Sequence, residues 1–457
     1  MQDNPTNIGF ILLISTIAAI GGLLFGFDTG VISGALAFIS SSFHLTIENT
    51  FIKEMIVSAV PIGALIGALL SGKSSNKLGR RSSIIVSAVL FILGTLITSL
   101  AFSVYMVMLG RLVMGFAVGL SVMTVPMYLS EVSPPSIRGT AVFLFQLAIT
   151  IGILVAFIIN YIFANDENWR MMFAVAVLPA IVLWVGMLFL PNSPRWLLLK
   201  GKKEEAKSIL ERLGGHVVTT ELQKIEASIS HKQSSFKELF TRKTFPIALI
   251  TFGLFVFQQL TGINAILYYT PTVFHSAGFV AGNAAILATV ATGVCNVLST
   301  FIGIFLIDRW GRRKLLIFAM VGMFVCLILL GLGYHHVFGA HVDKLMIIVV
   351  LAFIFFFATG MGGTPYLIMS ELFPLRLRGA GMATASCANW GFNILVSATF
   401  LSLINAIGID NTFILYAVFT LVGLIGIIKL LPETKNISLE RIEENLYAGK
   451  HMRDLGS

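Results

Sequence analysis

Apolar stretches of bilayer-crossing length, about 20 residues each, recur from one end of this chain to the other. They fall near 10–38, 51–72, 83–103, 105–130, 139–163, 170–190, 246–274, 284–307, 314–334, 345–370, 379–405 and 411–431. Hydrocarbon offers the backbone no hydrogen-bond partners, so such runs fold as helices. The charge content agrees: 12% of the 457 residues are charged, against about 25% in ordinary soluble domains. So few charges could not cover a soluble surface. The first run has no basic segment or cleavage site before it, so it reads as a retained span.

The only long hydrophilic break, 192–245, divides the spans six and six. Expected are an N-terminal six-helix bundle over 1–191, a linker over 192–245, a C-terminal bundle over 246–431 and a tail over 432–457. Within the linker, Lys202–Leu213 and Thr220–Ser230 have amphipathic helical patterns that suit a membrane face. Of 31 Lys and Arg residues, 27 lie in the loops after the even-numbered spans or in the segment from Lys429 onward. Lys53, Arg170 and Lys344 lie in the opposite loops, and Arg111 lies inside span 4. This bias places both termini and the linker in the cytoplasm. The net charge of +9 is thereby explained by topology; without interleaved aromatics or a nucleic-acid module, nucleic acid is excluded as a partner.

The chain also repeats itself. Gly79-Arg80-Arg81 after span 2 returns as Gly311-Arg312-Arg313 after span 8. Ser130-Glu131 through Arg138-Gly139 after span 4 returns as Ser370-Glu371 through Arg378-Gly379 after span 10. Pro191-Asn-Ser-Pro-Arg195 after span 6 is matched by Pro432-Glu-Thr-Lys435 after span 12. The offsets are 232, 240 and 241 residues. Parallel halves of this kind are one plan for alternating access, with the substrate held between them.

Two charges lie well inside the apolar runs: Asp28, in Gly26-Phe-Asp-Thr-Gly30, and Arg111. Charges at that depth are costly and mark an ion or proton path when they pair. A neighbouring guanidinium favours the charged carboxylate and desolvation the neutral acid, so a motion that separates the pair would load a proton. A purely structural ion pair is the alternative. The amides inside spans are Gln146, Asn160, Gln258, Gln259, Asn264, Asn296, Asn389 and Asn393. Amides supply donors and acceptors together, which suits an uncharged polyhydroxyl solute; they also serve as interhelical glue. Gly63/Gly67 and Gly115/Gly119 form small-xxx-small patterns, the mark of close helix packing. No phosphate loop, metal-ligand spacing or nucleophile–base set occurs, so no enzyme activity, cofactor or metal is expected. Cys295, Cys326 and Cys387 read as small packing residues.

These motifs, with Gly110-Arg111-x-x-x-Gly115 and Gln258-Gln259-Leu-Thr-Gly-Ile-Asn264, resemble the sugar porters of the major facilitator superfamily along the whole chain. The ending from Pro432-Glu-Thr-Lys435 is most similar to galactose–proton and arabinose–proton symporters. The resemblance implies an all-α membrane protein of twelve helices in two pseudo-symmetric halves. Such a protein imports a monosaccharide (galactose, glucose, arabinose or xylose) with a proton by alternating access, resides in the cell membrane and acts as a monomer. It further implies that Asp28 is the proton site. Gln146, Gln258, Gln259, Asn264, Asn296, Trp390 and Asn393 would contact sugar, with Phe25, Tyr268, Tyr269 and Tyr366 lining or gating the cavity. Arg80, Arg81, Glu131, Arg138, Arg195, Asp308, Arg312, Arg313, Glu371, Arg378 and Glu433 would form a cytoplasmic latch of inter-helix pairs. Tyr366 stands where the family usually has Trp, Ala358 where some relatives have an acid, Asn76 for Asp and Asn192 for Glu. A facilitative uniporter and an inositol–proton symporter stay open as alternatives; Asp28 speaks against the first. A sugar sensor would add a long cytosolic extension, whereas this chain ends at Ser457 soon after span 12.

Overall fold

In the computed structural model, residues 7–134, 137–214, 222, 236–241, 244–276, 284–334, 342–374, 377–437 and 439–455 are described. The described residues are helices and their connections, as the apolar runs require. Spans 1 to 5 are Ile8–Ser42, Thr50–Leu78, Arg80–Ser99, Val104–Val132 and Arg138–Ala164. Span 6 is built from Trp169–Ala174 and Val177–Phe189. Spans 8 and 9 are Ala284–Trp310 and Arg312–Tyr334.

The helix Arg378–Leu430 runs for 53 residues but contains two spans, because Gly408 sits inside it at φ +85° and ψ 158°. A residue with a side chain is strained there, and the glycine turns the chain between spans 11 and 12. Eleven apolar segments among the described residues are long enough to span, and with the last of them doubled they make twelve crossings. Spans 7 and 10 are discontinuous. Span 7 is Phe245–Leu260 and Ile263–Ser276, parted at Gly262 with φ +81°. Span 10 is Val342–Phe356, a π-helical turn over Phe357–Met361 and then Thr364–Leu372. Broken helices at membrane depth occur where backbone groups find partners inside the protein.

The chain forms two compact units. One comprises 1–28, 59–156 and 170–232; the other comprises 29–58, 157–169 and 233–457. The division passes through span 1 between Asp28 and Thr29 and through span 2 between Ser58 and Ala59. In the first unit spans 2 and 4 pack almost backbone to backbone. A methyl at Gly63 would stand 2.2 Å from the Leu112 carbonyl oxygen, and one at Gly115 would stand 2.2 Å from that of Val60. The small-residue patterns are therefore helix seams.

In the linker, the first amphipathic pattern forms the helix Lys203–Leu213. Its neighbour Leu197 is fully buried with Ala206 and Leu222. The second pattern, Thr220–Ser230, falls outside the described residues apart from Leu222.

Candidate functional site

Span 1 carries Asp28 and span 4 carries Arg111, each only 1% exposed. Arg111 Nη1 donates to Asp28 Oδ1 at 3.3 Å, and the guanidinium carbon lies 5.6 Å from the Phe173 ring centre. The second carboxylate oxygen, Oδ2, is buried and accepts no hydrogen bond among the described residues. Burying an ion costs several kcal/mol even after relaxation, and a carboxylate oxygen with no hydrogen bond among the described residues adds to that cost. A carboxylate held in this way is a weak element of stability. It is, however, suited to exchanging a proton.

In the second unit a directional chain of side chains crosses three spans. Asn264 Nδ2 donates to Gln259 Oε1 at 2.5 Å. Gln259 Nε2 donates to Asn389 Oδ1 at 2.6 Å, and Asn389 Nδ2 donates to the Tyr366 hydroxyl at 3.4 Å. Since every amide in the chain gives one hydrogen onward, the last hydroxyl keeps its own proton for a further acceptor. Tyr366 is 41% exposed and meets Phe255 edge to face at 4.8 Å. One turn along span 11, Asn393 pairs with the Tyr268 hydroxyl at 3.4 Å. The break in span 7 at Gly262 brings Asn264 back to Gln259.

Other expected site residues have different surroundings. Gln258 Nε2 donates to the Met361 carbonyl at 2.6 Å and to that of Gly362 at 3.3 Å. These carbonyls end the π-helical turn, so this amide group holds span 10 in its broken form. Tyr269 donates to the Ser397 carbonyl at 3.0 Å and is 1% exposed. Asn296 and Trp390 are buried in spans 8 and 11. Phe25 and Gln146 are half-buried in the first unit, on spans 1 and 5.

The residues expected to form the latch include two matching clusters, one in each half of the sequence. Arg80 Nε donates to Glu131 at 2.8 Å, and the Ser193 hydroxyl donates to the same carboxylate. In the repeat, Arg312 Nη2 donates to Glu371 at 2.8 Å and the Thr434 hydroxyl donates at 2.5 Å. Inter-helix pairs are therefore present, and the described ones lie within a half. Arg81 and Arg313 donate to the carbonyls of Met187 and Ile428. Glu433 caps span 9 by accepting from the backbone N–H of Arg312 and Arg313 at 2.9 and 3.1 Å. Its counterpart Asn192 leaves Oδ1 buried and without a partner among the described residues. Arg138 reaches only the Ser133 carbonyl at 3.5 Å. Arg195 and Asp308 are exposed, and the side chain of Arg378 lies outside the described residues.

Sequence reasoning passed over one acid. Glu54, one turn into span 2, reads as membrane-flanking, yet it is 1% exposed. Only the serine one turn further along, Ser58, hints that a polar stripe enters the helix there. Asn389 was visible as an embedded amide, but its place between Gln259 and Tyr366 depends on the approach of spans 7, 10 and 11.

Twelve crossings in two repeated halves, a buried Asp–Arg pair and an uncharged amide cluster define a membrane transporter. The chain belongs to the sugar (and other) transporter family, whose model matches residues 14–446. It is 39% identical to the galactose-proton symporter of Escherichia coli strain K12, covering 100% of this chain and 98% of that protein. It is 37% identical to the arabinose-proton symporter of the same strain, over 97% of this chain and 95% of that one. An inward-open structure of the xylose transporter XylE from E. coli matches with a TM-score of 0.83 at 31% identity, covering 95% of this chain and 99% of that chain. The major facilitator fold implied by the resemblance is thereby borne out.

Proposed function

We propose that this protein carries a monosaccharide into the cell together with a proton by alternating access. The family relationship supports the transport of sugar. The observation that carries the coupling is the buried Asp28–Arg111 pair, in which one carboxylate oxygen accepts no hydrogen bond among the described residues. The two six-helix halves, 1–191 and 246–431, are the bodies that move, joined by the linker 192–245. The charge bias supports cytoplasmic termini, and a monomer suffices because both halves lie in one chain.

With the site open outward, protonation of Asp28 weakens its attraction to Arg111, and sugar hydroxyls exchange for bonds in the Asn264–Gln259–Asn389–Tyr366 chain. The Tyr366 hydroxyl donates to the sugar, a contact the usual Trp would make with N–H geometry instead. By their match to the family's motifs, Gln146, Phe25, Asn296, Trp390 and Asn393 are further sugar contacts. After the halves rock, sugar leaves and Asp28 releases its proton to the cytoplasm. The inner charge clusters hold each half together while it moves as a unit.

Each proton crossing contributes about 2.3 kcal/mol per 100 mV, equivalent to about fiftyfold accumulation at one proton per sugar. The test is uptake of labelled galactose, glucose, arabinose, xylose and inositol into proteoliposomes, with and without an imposed pH gradient. A gradient should drive one or more of the monosaccharides above its external concentration. Asp28→Asn should reduce accumulation to equality while preserving sugar exchange; uphill uptake by that variant, or inositol as the sole substrate, would overturn the reading.

A further inference from the structure

Glu54 is an acid for which the proton-coupled cycle above has no use. It lies one turn inside span 2, is 1% exposed and is paired with no cation among the described residues. Both of its oxygens are nonetheless occupied by span 11. The backbone N–H of Ser402 donates to Oε1 at 2.7 Å, and the Ser402 hydroxyl donates to Oε2 at 2.7 Å. Further polar contacts flank this one at helical spacing. Ser58 and Ser397 share a hydrogen bond of 3.0 Å, and Asn405 Nδ2 donates to the Thr50 hydroxyl at 3.0 Å. Residues 50, 54 and 58 are thus matched, in antiparallel order, by 405, 402 and 397, all within the second compact unit.

Such a ladder has a particular energetic character. An apolar seam in the same place would hold these helices together with nothing gained by parting. A carboxylate that loses hydration on burial pays a large penalty, which two charge-assisted hydrogen bonds return nearly in full. When water reaches the seam, the carboxylate recovers its hydration and the two bonds are no longer needed. Closed and open arrangements therefore stay close in free energy. That balance is what a seam broken once per transport cycle requires.

We infer that Glu54 is a positioning residue for transport: by binding Ser402 it holds span 2 against span 11 and keeps the outer end of the pathway shut. This rests on the alternating-access reading and on the charge-derived orientation, which puts residues 43–50 outside. Neither the identity of the sugar nor the coupling ion enters it.

The test uses the full chain with Cys295, Cys326 and Cys387 replaced and spin labels at Ile47 and Ile407, the exposed outer ends of spans 2 and 11. Electron–electron distance measurements in lipid nanodiscs then report the outer opening with no sugar or gradient present. The starting protein should show a predominant short distance. Glu54→Ala should move the closed-to-open ratio by about tenfold toward open, because both Ser402 donors then lose their acceptor inside the closed seam and can be satisfied by water only when it opens. Ser402→Ala, which removes the hydroxyl and keeps the backbone donor, should shift it less. Glu54→Gln, which can still accept from the N–H and donate to the hydroxyl, should restore most of the closed population. Thermal unfolding of each variant establishes that the fold is kept. An unchanged distance distribution in a folded Glu54→Ala protein would overturn the inference, as would a Glu54→Gln protein as open as Glu54→Ala. Because no transport is measured, failure of the symport reading leaves these outcomes decisive.

Discussion

Gln259 stands in the middle of the side-chain relay and Gln258 beside it at the hinge, so adjacent glutamines do different work. Gln259→Ala removes an acceptor from Asn264 and a donor from Asn389, leaving two polar groups unmatched in a largely dehydrated place. Sugar affinity should fall about tenfold or more, read as the shift in half-saturation by equilibrium binding to the purified protein. Gln258→Ala instead frees the carbonyls of Met361 and Gly362 and loosens the π-helical turn. Turnover should then fall more than affinity, measured as separate changes in maximal rate and half-saturation. The residue types of the site were legible as amides in an oily segment, because amide side chains there are few. Which amide meets which was not, since Asn389 lies 130 positions from Gln259 and only packing unites them.

Among elements, the interruptions in spans 7 and 10 and the turn at Gly408 shape the second unit. Gly408 has φ +85°, and a methyl there would also stand 2.3 Å from Asp410 Oδ1. Gly408→Ala should therefore destabilise the protein by about 1–3 kcal/mol from the backbone alone, seen as a lower unfolding temperature in detergent. An apolar run states that a helix crosses and leaves open where it is broken. The lengths and order of the spans followed from hydropathy, and the turn between spans 11 and 12 fell within their gap. The π-helical turn around Ala358 left no mark in composition, because it depends on an amide from span 7 that accepts the burden of its freed carbonyls.

Across the whole molecule the repeat is unequal where the segments after spans 6 and 12 meet their halves. Glu433 caps the first turn of span 9, whereas in the equivalent position the Asn192 carbonyl has no partner among the described residues. A helix start leaves N–H groups without intrahelical acceptors and favours negative charge. Asn192→Glu should supply the missing carboxylate at span 3 and stabilise the protein by roughly 0.5–1 kcal/mol, detectable as a raised unfolding temperature. An unchanged or lowered temperature would mean that the two halves are built differently at this point. The same contrast marks how far sequence reaches. Crossing number, membrane residence, the duplicated halves and the isolation of Asp28 and Arg111 were determined by the chain alone, because a low-dielectric solvent forces apolar helices and makes each buried charge conspicuous. Tertiary structure alone decided that these charges touch at 3.3 Å, that Glu54 is buried against Ser402, and that Gln258 braces the π-helical turn. Those are matters of which helix faces meet, and hydrophobic periodicity is nearly uniform around helices surrounded by lipid and by one another.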